Sequence, residues 1–154
     1  MAAVTIRRLG AGDVPKHRAA MAMYCDAFED PDTYLARQPS DAYLAKLLGR
    51  EDFIELIAEQ DGAVVGALSA YVFHKFEQER AEVYIYDLAV APAHQREGIG
   101  AALINALKPI ARGLGAYLII VQAEAGDEPA EGLYANFGKV LAVSSFDIDV
   151  GEAS

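Results

Sequence analysis

Two features of this 154-residue chain have the residue types and spacing to do chemistry. The first is the turn Gln95-Arg96-Glu97-Gly98-Ile99-Gly100, set between an apolar stretch, Tyr84 to Val90, and an amphipathic one. If the apolar stretch is a strand and the other a helix, backbone N–H groups at the helix N-terminus form a cradle for a phosphate group. Gly98 and Gly100 let the backbone approach a bulky anion, and Arg96 adds a fixed positive charge in a chain of net charge −10. The second feature is Asp87, an isolated carboxylate within the same apolar stretch. Burial raises a carboxylate's pKa and makes it a better base. The residue has two other readings: an electrostatic anchor for an ammonium group, or a structural acid bonded to backbone at a splayed strand.

The turn is not a P-loop, because no Gly-Lys-Ser/Thr follows it. Nor does it match a dinucleotide fingerprint, which places its glycines in a tight turn straight after the first strand. Here Ala91 to Gly98 separate the strand from the helix body.

The pattern around these residues predicts the elements that must position them. Val4 to Leu9 reads as a first strand, and Asp13 caps a helix reaching Phe28, ended by the acidic turn Glu29-Asp30-Pro31-Asp32. Ser40 or Asp41 caps a shorter helix, Ala42 to Leu48, stopped by Gly49. Phe53 to Glu59 and Ala63 to Phe73 flank the hairpin signal Asp61-Gly62, and Glu82 to Val90 is the fourth strand. Gly98 to Arg112 carries a stripe of Ile99, Leu103, Leu107 and Ile110, with Pro109 expected to kink it. Ala116 to Ala123 reads as a strand buried on both faces, Glu128 to Phe137 as a short helix, and Val140 to Asp149 as one or two closing strands. Strict alternation on the fourth strand places Asp87 with Ile85 and Ala89, unless a bulge intervenes.

Composition narrows the function. At 154 residues and 53% hydrophobic, the chain reads as one domain, 1–154, with a single core. One cysteine, Cys25, excludes an internal disulfide, and His17, His74 and His94 have no metal-ligand spacing. The acidic balance argues against nucleic acid and suits a cationic ligand. No signal peptide or apolar run of membrane-spanning length is evident, so a cytoplasmic location without a membrane partner is expected.

The run Glu82 to Gly100, with Leu133-Tyr134-x-x-Phe137-Gly138, resembles the GNAT N-acetyltransferase superfamily, in which such a turn holds the pyrophosphate of acetyl-CoA. Phe76-Glu77-Gln78, Tyr84 to Val90, Leu114 to Tyr117, Val121-Gln122-Ala123 and Phe146 to Asp149 together are similar to the type I aminoglycoside 3-N-acetyltransferases, as are Val65 to Leu68 and the region Tyr34 to Tyr43. The resemblance implies an α/β (α+β) GNAT fold: a mixed, mostly antiparallel sheet splayed between strands 4 and 5, flanked by about four helices. It implies acetyl transfer to the 3-amino group of a 2-deoxystreptamine aminoglycoside such as gentamicin, and a homodimer with Tyr117, Phe146 and the last strand as contacts.

The site residues follow from the same resemblance. Leu88, Ala89 and Val90 would pair with the pantetheine amides as an added strand, and Gln95, Arg96, Glu97, Gly98, Ile99, Gly100 and Ala101 would hold the pyrophosphate. Asp87 is the candidate base or ammonium anchor, with Glu82 and Tyr84 as weaker alternatives. Tyr134 is the candidate acid for the departing thiolate; its spacing from Ala130 and Phe137 also suits a core position. Glu29, Asp30, Glu124, Asp127, Asp147 and Asp149 are candidate carboxylates for a cationic substrate. Two other functions fit the same cofactor turn: a GNAT enzyme for a polyamine or protein amine, and an acetyl-CoA-binding module without turnover.

Overall fold

A computed structural model of the chain describes residues 3–152, which fall into two compact units that meet in the sequence between Gln122 and Ala123. The first unit contains a five-stranded sheet in the order β1-β2-β3-β4-β5. Its strands are β1 (Thr5–Arg8), β2 (Phe53–Gln60), β3 (Ala63–His74), β4 (Ala81–Val90) and β5 (Ala116–Val121). Neighbours are antiparallel except β4 and β5, which are parallel and joined through a helix. This is the mixed, mostly antiparallel sheet that the resemblance implies.

Helix α1 (Val14–Phe28) starts at Asp13, although the Asp13 carboxylate accepts from the Gly10 N–H at 2.7 Å rather than from the helix. The expected acidic turn is instead a second cap: the Asp30 side chain accepts from the Thr33 N–H at 3.1 Å and opens the one-turn helix α2 (Pro31–Tyr34). Ser40 caps α3 (Asp41–Leu48) in the same way. Asp61 and Gly62 both have positive φ, as the two-residue turn between β2 and β3 requires. Helix α4 (Ile99–Gly113) runs through Pro109 without a break.

The sheet buries both faces. On one, Met23 and Tyr24 of α1 pack with Ile57, Ala67 and Ala89. On the other, α4 lies so close to β3 that a Cβ at Gly66 would sit 2.7 Å from the Ile99 side chain.

Two expectations change. β5 is the edge of the sheet, and Tyr117 and Leu118 are about half exposed, so its apolar run does not mark a strand covered on both sides. In the second unit, α5 (Glu128–Ala135) forms as expected, but no strand follows it among the described residues. The apolar residues Val140, Val143, Phe146 and Ile148 lie in an exposed segment without a ladder. A strand pattern needs a partner's backbone to become a strand.

Candidate active site

The β4–β5 ladder runs from Ala81↔Ala116 to Ile85↔Val121, while β4 continues five residues further, where among the described residues its ladder is with β3 alone. Residues 86–90 therefore present an unpaired edge in the sheet, and Leu88, Ala89 and Val90 lie on it. An extended ligand with amide groups can bond there as a strand would.

Beyond Val90 the chain makes a 3-10 turn at Pro92–His94, and Arg96 and Gly98 then both take positive φ, +66° and +82°. A non-glycine residue in that region is strained, and backbones that alternate in this way turn successive amides toward one concavity. The first α4 bond joins the Ala102 N–H to the Gly98 carbonyl at 3.0 Å. The amides of Ile99, Gly100 and Ala101 are thus those the helix leaves without internal acceptors. Gln95 and Glu97 shape the turn, and Glu97 lies 3.2 Å from His94. This cradle and the open strand edge follow one another along the chain, as the two ends of a pantetheine pyrophosphate demand. The residues present fit acetyl-CoA.

Asp87 stands at the start of the open edge. The β3–β4 register shifts there, with Ser69 opposite Asp87 but Ala70 opposite Ile85, so Tyr86 is the extra residue of a bulge. The bulge reverses the expected alternation. Ile85 stays on the α4 side with Ala70, whereas Tyr86 and Asp87 both turn to the α1–α2 side, where Ala89 also lies opposite Ala67. Tyr86 meets the Tyr71 ring edge-on at 5.9 Å, and the Tyr34 hydroxyl donates to Asp87 Oδ2 at 2.9 Å.

Burial holds the Asp87 carboxyl above its ordinary range, the Tyr34 bond opposes this, and the charge of Glu55 adds to it. Tyr34 is itself raised, by burial and then by Asp87, so it stays a donor. Tyr34→Phe removes the one opposing contribution. The acidic limb of the activity profile should then move to higher pH, because Asp87 holds its proton more tightly; a pH series of kcat/KM checks this.

The other sequence candidates separate. Glu82 is occupied by the Tyr117 hydroxyl at 2.5 Å and by Lys75, which keep its carboxyl low and unsuited to take a proton. Tyr84 donates to Gln122. Glu29 ends α1 and Asp30 caps α2, two turns of chain that lead into Tyr34. In the second unit, Tyr134 lies in the last turn of α5, Asp127 caps that helix, and Asp149 accepts from the Gly151 N–H. Glu124 precedes the cap, and Asp147 lies exposed in the segment after α5.

Sequence reasoning did not single out Tyr34 as the partner of Asp87. It also missed a second lone carboxylate in an apolar strand, Glu55, whose signal in Phe53-Ile54-Glu55-Leu56-Ile57 is the same as that of Asp87.

A profile of the Acetyltransferase (GNAT) family matches residues 18–138. Among solved structures, the chain is similar to an aminoglycoside acetyltransferase, HMB0005, from an uncultured soil metagenomic sample. The two are 44% identical with a TM-score of 0.94, over 97% of this chain and 99% of that one. A second soil metagenomic aminoglycoside acetyltransferase, meta-AAC0020, solved in complex with sisomicin, is 29% identical with a TM-score of 0.89, over 96% of this chain and 97% of that one. An uncharacterized N-acetyltransferase of Bacillus subtilis, YhfO, is 32% identical over 66% of this chain and 68% of its own length.

Proposed function

Because this chain belongs to the GNAT acetyltransferase family, whose members transfer acetyl from acetyl-CoA, we propose that it is an aminoglycoside 3-N-acetyltransferase acting on gentamicin-like drugs and conferring resistance to them. The observation that carries the reading is the 44% identity, over nearly the whole chain, to an aminoglycoside acetyltransferase. The acidic balance of the chain supports a polycationic acceptor.

Acetyl-CoA supplies an already activated acyl group, so the chain's task is to hold it and to manage protons. Leu88, Ala89 and Val90 bind its amides along the β4 edge; Gly98, Ile99, Gly100 and Ala101 offer N–H groups to its phosphates, and Arg96 offers charge. The acceptor arrives as an ammonium with a pKa near ~10 and must lose a proton to attack. Asp87 takes or holds that proton at Oδ1, since Oδ2 is engaged by Tyr34. Tyr134 gives a proton to the departing thiolate. Glu29, Asp30, Glu124, Asp127, Asp147 and Asp149 serve the drug's ammonium and hydroxyl groups. The family profile spans both compact units, which supports a single acetyltransferase domain. The reading includes a homodimer and a cytoplasmic location; no helix of the described residues is long and apolar enough to cross a membrane.

The deciding experiment is acetyl-CoA-dependent thiol release against gentamicin, kanamycin, spermidine and no acceptor, with a blank for Cys25. Release with gentamicin and product acetylated at the 3-amino group is expected. Release with spermidine alone would discard the drug, and cofactor binding without any release would discard the enzyme. Tyr134→Phe should lower kcat by about 10²-fold with acetyl-CoA affinity retained; an unchanged kcat in a chemistry-limited assay removes its acid role.

A further inference from the structure

Across the middle of the sheet, three polar side chains stand directly opposite one another on adjacent strands: Glu55 on β2, Ser69 on β3 and Asp87 on β4. The neighbouring rows are apolar on one side, Ile57–Ala67–Ala89, and aromatic on the other, Phe53–Tyr71–Tyr84. Each member of the polar row is met by one side chain from the helices above it. His17 Nδ1 bonds Glu55 Oε2, the Tyr24 hydroxyl lies 3.0 Å from Ser69 Oγ, and Tyr34 bonds Asp87. His17 and Tyr24 are two turns apart on one face of α1, and the Tyr24 and Tyr34 rings stack at 5.7 Å.

The proton order follows from the donors available. Ser69 gives its single hydroxyl proton to Glu55 Oε1 at 3.3 Å, so Tyr24 donates to Ser69. These hydrogen bonds are all directed toward a carboxylate at one end or the other. Glu55 is 1% exposed, His17 6% and Ser69 9%. A buried acid of this kind contributes little to stability compared with an apolar residue of the same size. Its presence in the core of a strand therefore calls for another reason.

We propose that Glu55, held by His17 and Ser69, is a positioning residue for acetyl transfer: it places negative charge behind Asp87 and, through Ser69, Tyr24 and Tyr34, fixes the face Asp87 shows to the acceptor amine. This inference rests on Asp87 as base or anchor. The groups facing Asp87 are Tyr24 from α1, Tyr34 from α2, Ser69 and Tyr71 from β3, Tyr86 from β4, and Glu55 behind Ser69; of these, the Tyr34 hydrogen bond lowers its pKa and the Glu55 charge raises it. The sign is fixed by charge. Removing the Glu55 carboxylate makes the Asp87 proton easier to lose, so the acidic limb of kcat/KM moves to lower pH. Two strand spacings separate the groups, roughly 10 Å, near enough for charge to act through the buried sheet.

The test is the pH profile of wild type, Glu55→Gln and Asp87→Asn, with the acceptor that turns over fastest in the thiol-release assay and acetyl-CoA saturating. Glu55→Gln should move the limb to lower pH and raise KM for the cationic acceptor several-fold, with acetyl-CoA affinity by calorimetry unchanged. A limb that stays in place, or activity lost evenly at every pH, overturns the role of Glu55. If Asp87→Asn itself keeps the limb, the Asp87 reading fails first and this inference falls with it. Should Glu55→Gln not fold, the paired change His17→Met with Glu55→Met removes the acid and its partner together; it should move the limb in the same direction, and an unmoved limb overturns the proposal equally.

Discussion

Asp87→Asn should lower kcat/KM for the acceptor amine by about 10³-fold and abolish the acidic limb of its pH profile. The wild-type sign follows from burial. In the proposed role, as base or as ammonium anchor, Asp87 acts only in its ionised form, and its carboxyl is raised above the ordinary range. Activity therefore climbs with pH through a value higher than a solvated aspartate would give. The asparagine side chain is isosteric and still accepts from Tyr34, so acetyl-CoA binding measured by calorimetry should persist. How the loss divides tells base from anchor: a fall in kcat at unchanged KM is the loss of a base, a rise in KM at unchanged kcat is the loss of an ammonium anchor. Wild-type kinetics in the variant would remove Asp87 from the mechanism.

Gly66→Val is the second large effect, and it reaches the cofactor cradle from behind. Gly66 lies on the β3 face toward α4, where an added Cβ would stand 2.7 Å from Ile99 Cγ2, 3.4 Å from Leu103 Cδ1 and 3.4 Å from the Ala89 carbonyl oxygen. Ile99 is branched at Cβ and begins α4, so it cannot swing aside without moving the helix start. Overpacking of this kind costs about 1–3 kcal/mol. The displacement falls on the first amides of α4, so KM for acetyl-CoA should rise by about tenfold together with a lower Tm. A variant with lowered Tm and unaltered KM for acetyl-CoA would show that the cradle does not depend on this contact.

Much of this was legible in the chain. The glycine turn, the apolar strand before it and the stripe of α4 all carry strong local signals, because helix starts and buried strands are written in spacing and composition. The faces of β4 were not legible. Alternation puts Asp87 with Ile85, and one extra residue, Tyr86, places it on the other side. A bulge has no composition of its own; it appears only in the register between two strands. Tyr34 was hidden for a different reason, since its partner lies 53 residues away and the one-turn helix that carries it reads as an acidic break. The closing strands failed in the opposite sense. Val140 to Asp149 has the alternation of a strand, but a ladder is made by two backbones, and among the described residues this segment finds no second one.

The open edge of β4 has a consequence for the protein when it is empty. A strand with one side of its backbone unpaired is a template on which another chain can bond, and such edges are where soluble proteins associate wrongly. Here the exposed stretch is five residues long, is bent by a bulge and carries an acid, in a chain of net charge −10, all features that discourage pairing with a second copy. Occupancy in the proposed manner would remove the hazard, because the same donors and acceptors would then serve the ligand. Heat resistance and resistance to aggregation should both increase with acetyl-CoA concentration by mass action, so that in a cell well supplied with acetyl-CoA the sheet spends little time incomplete.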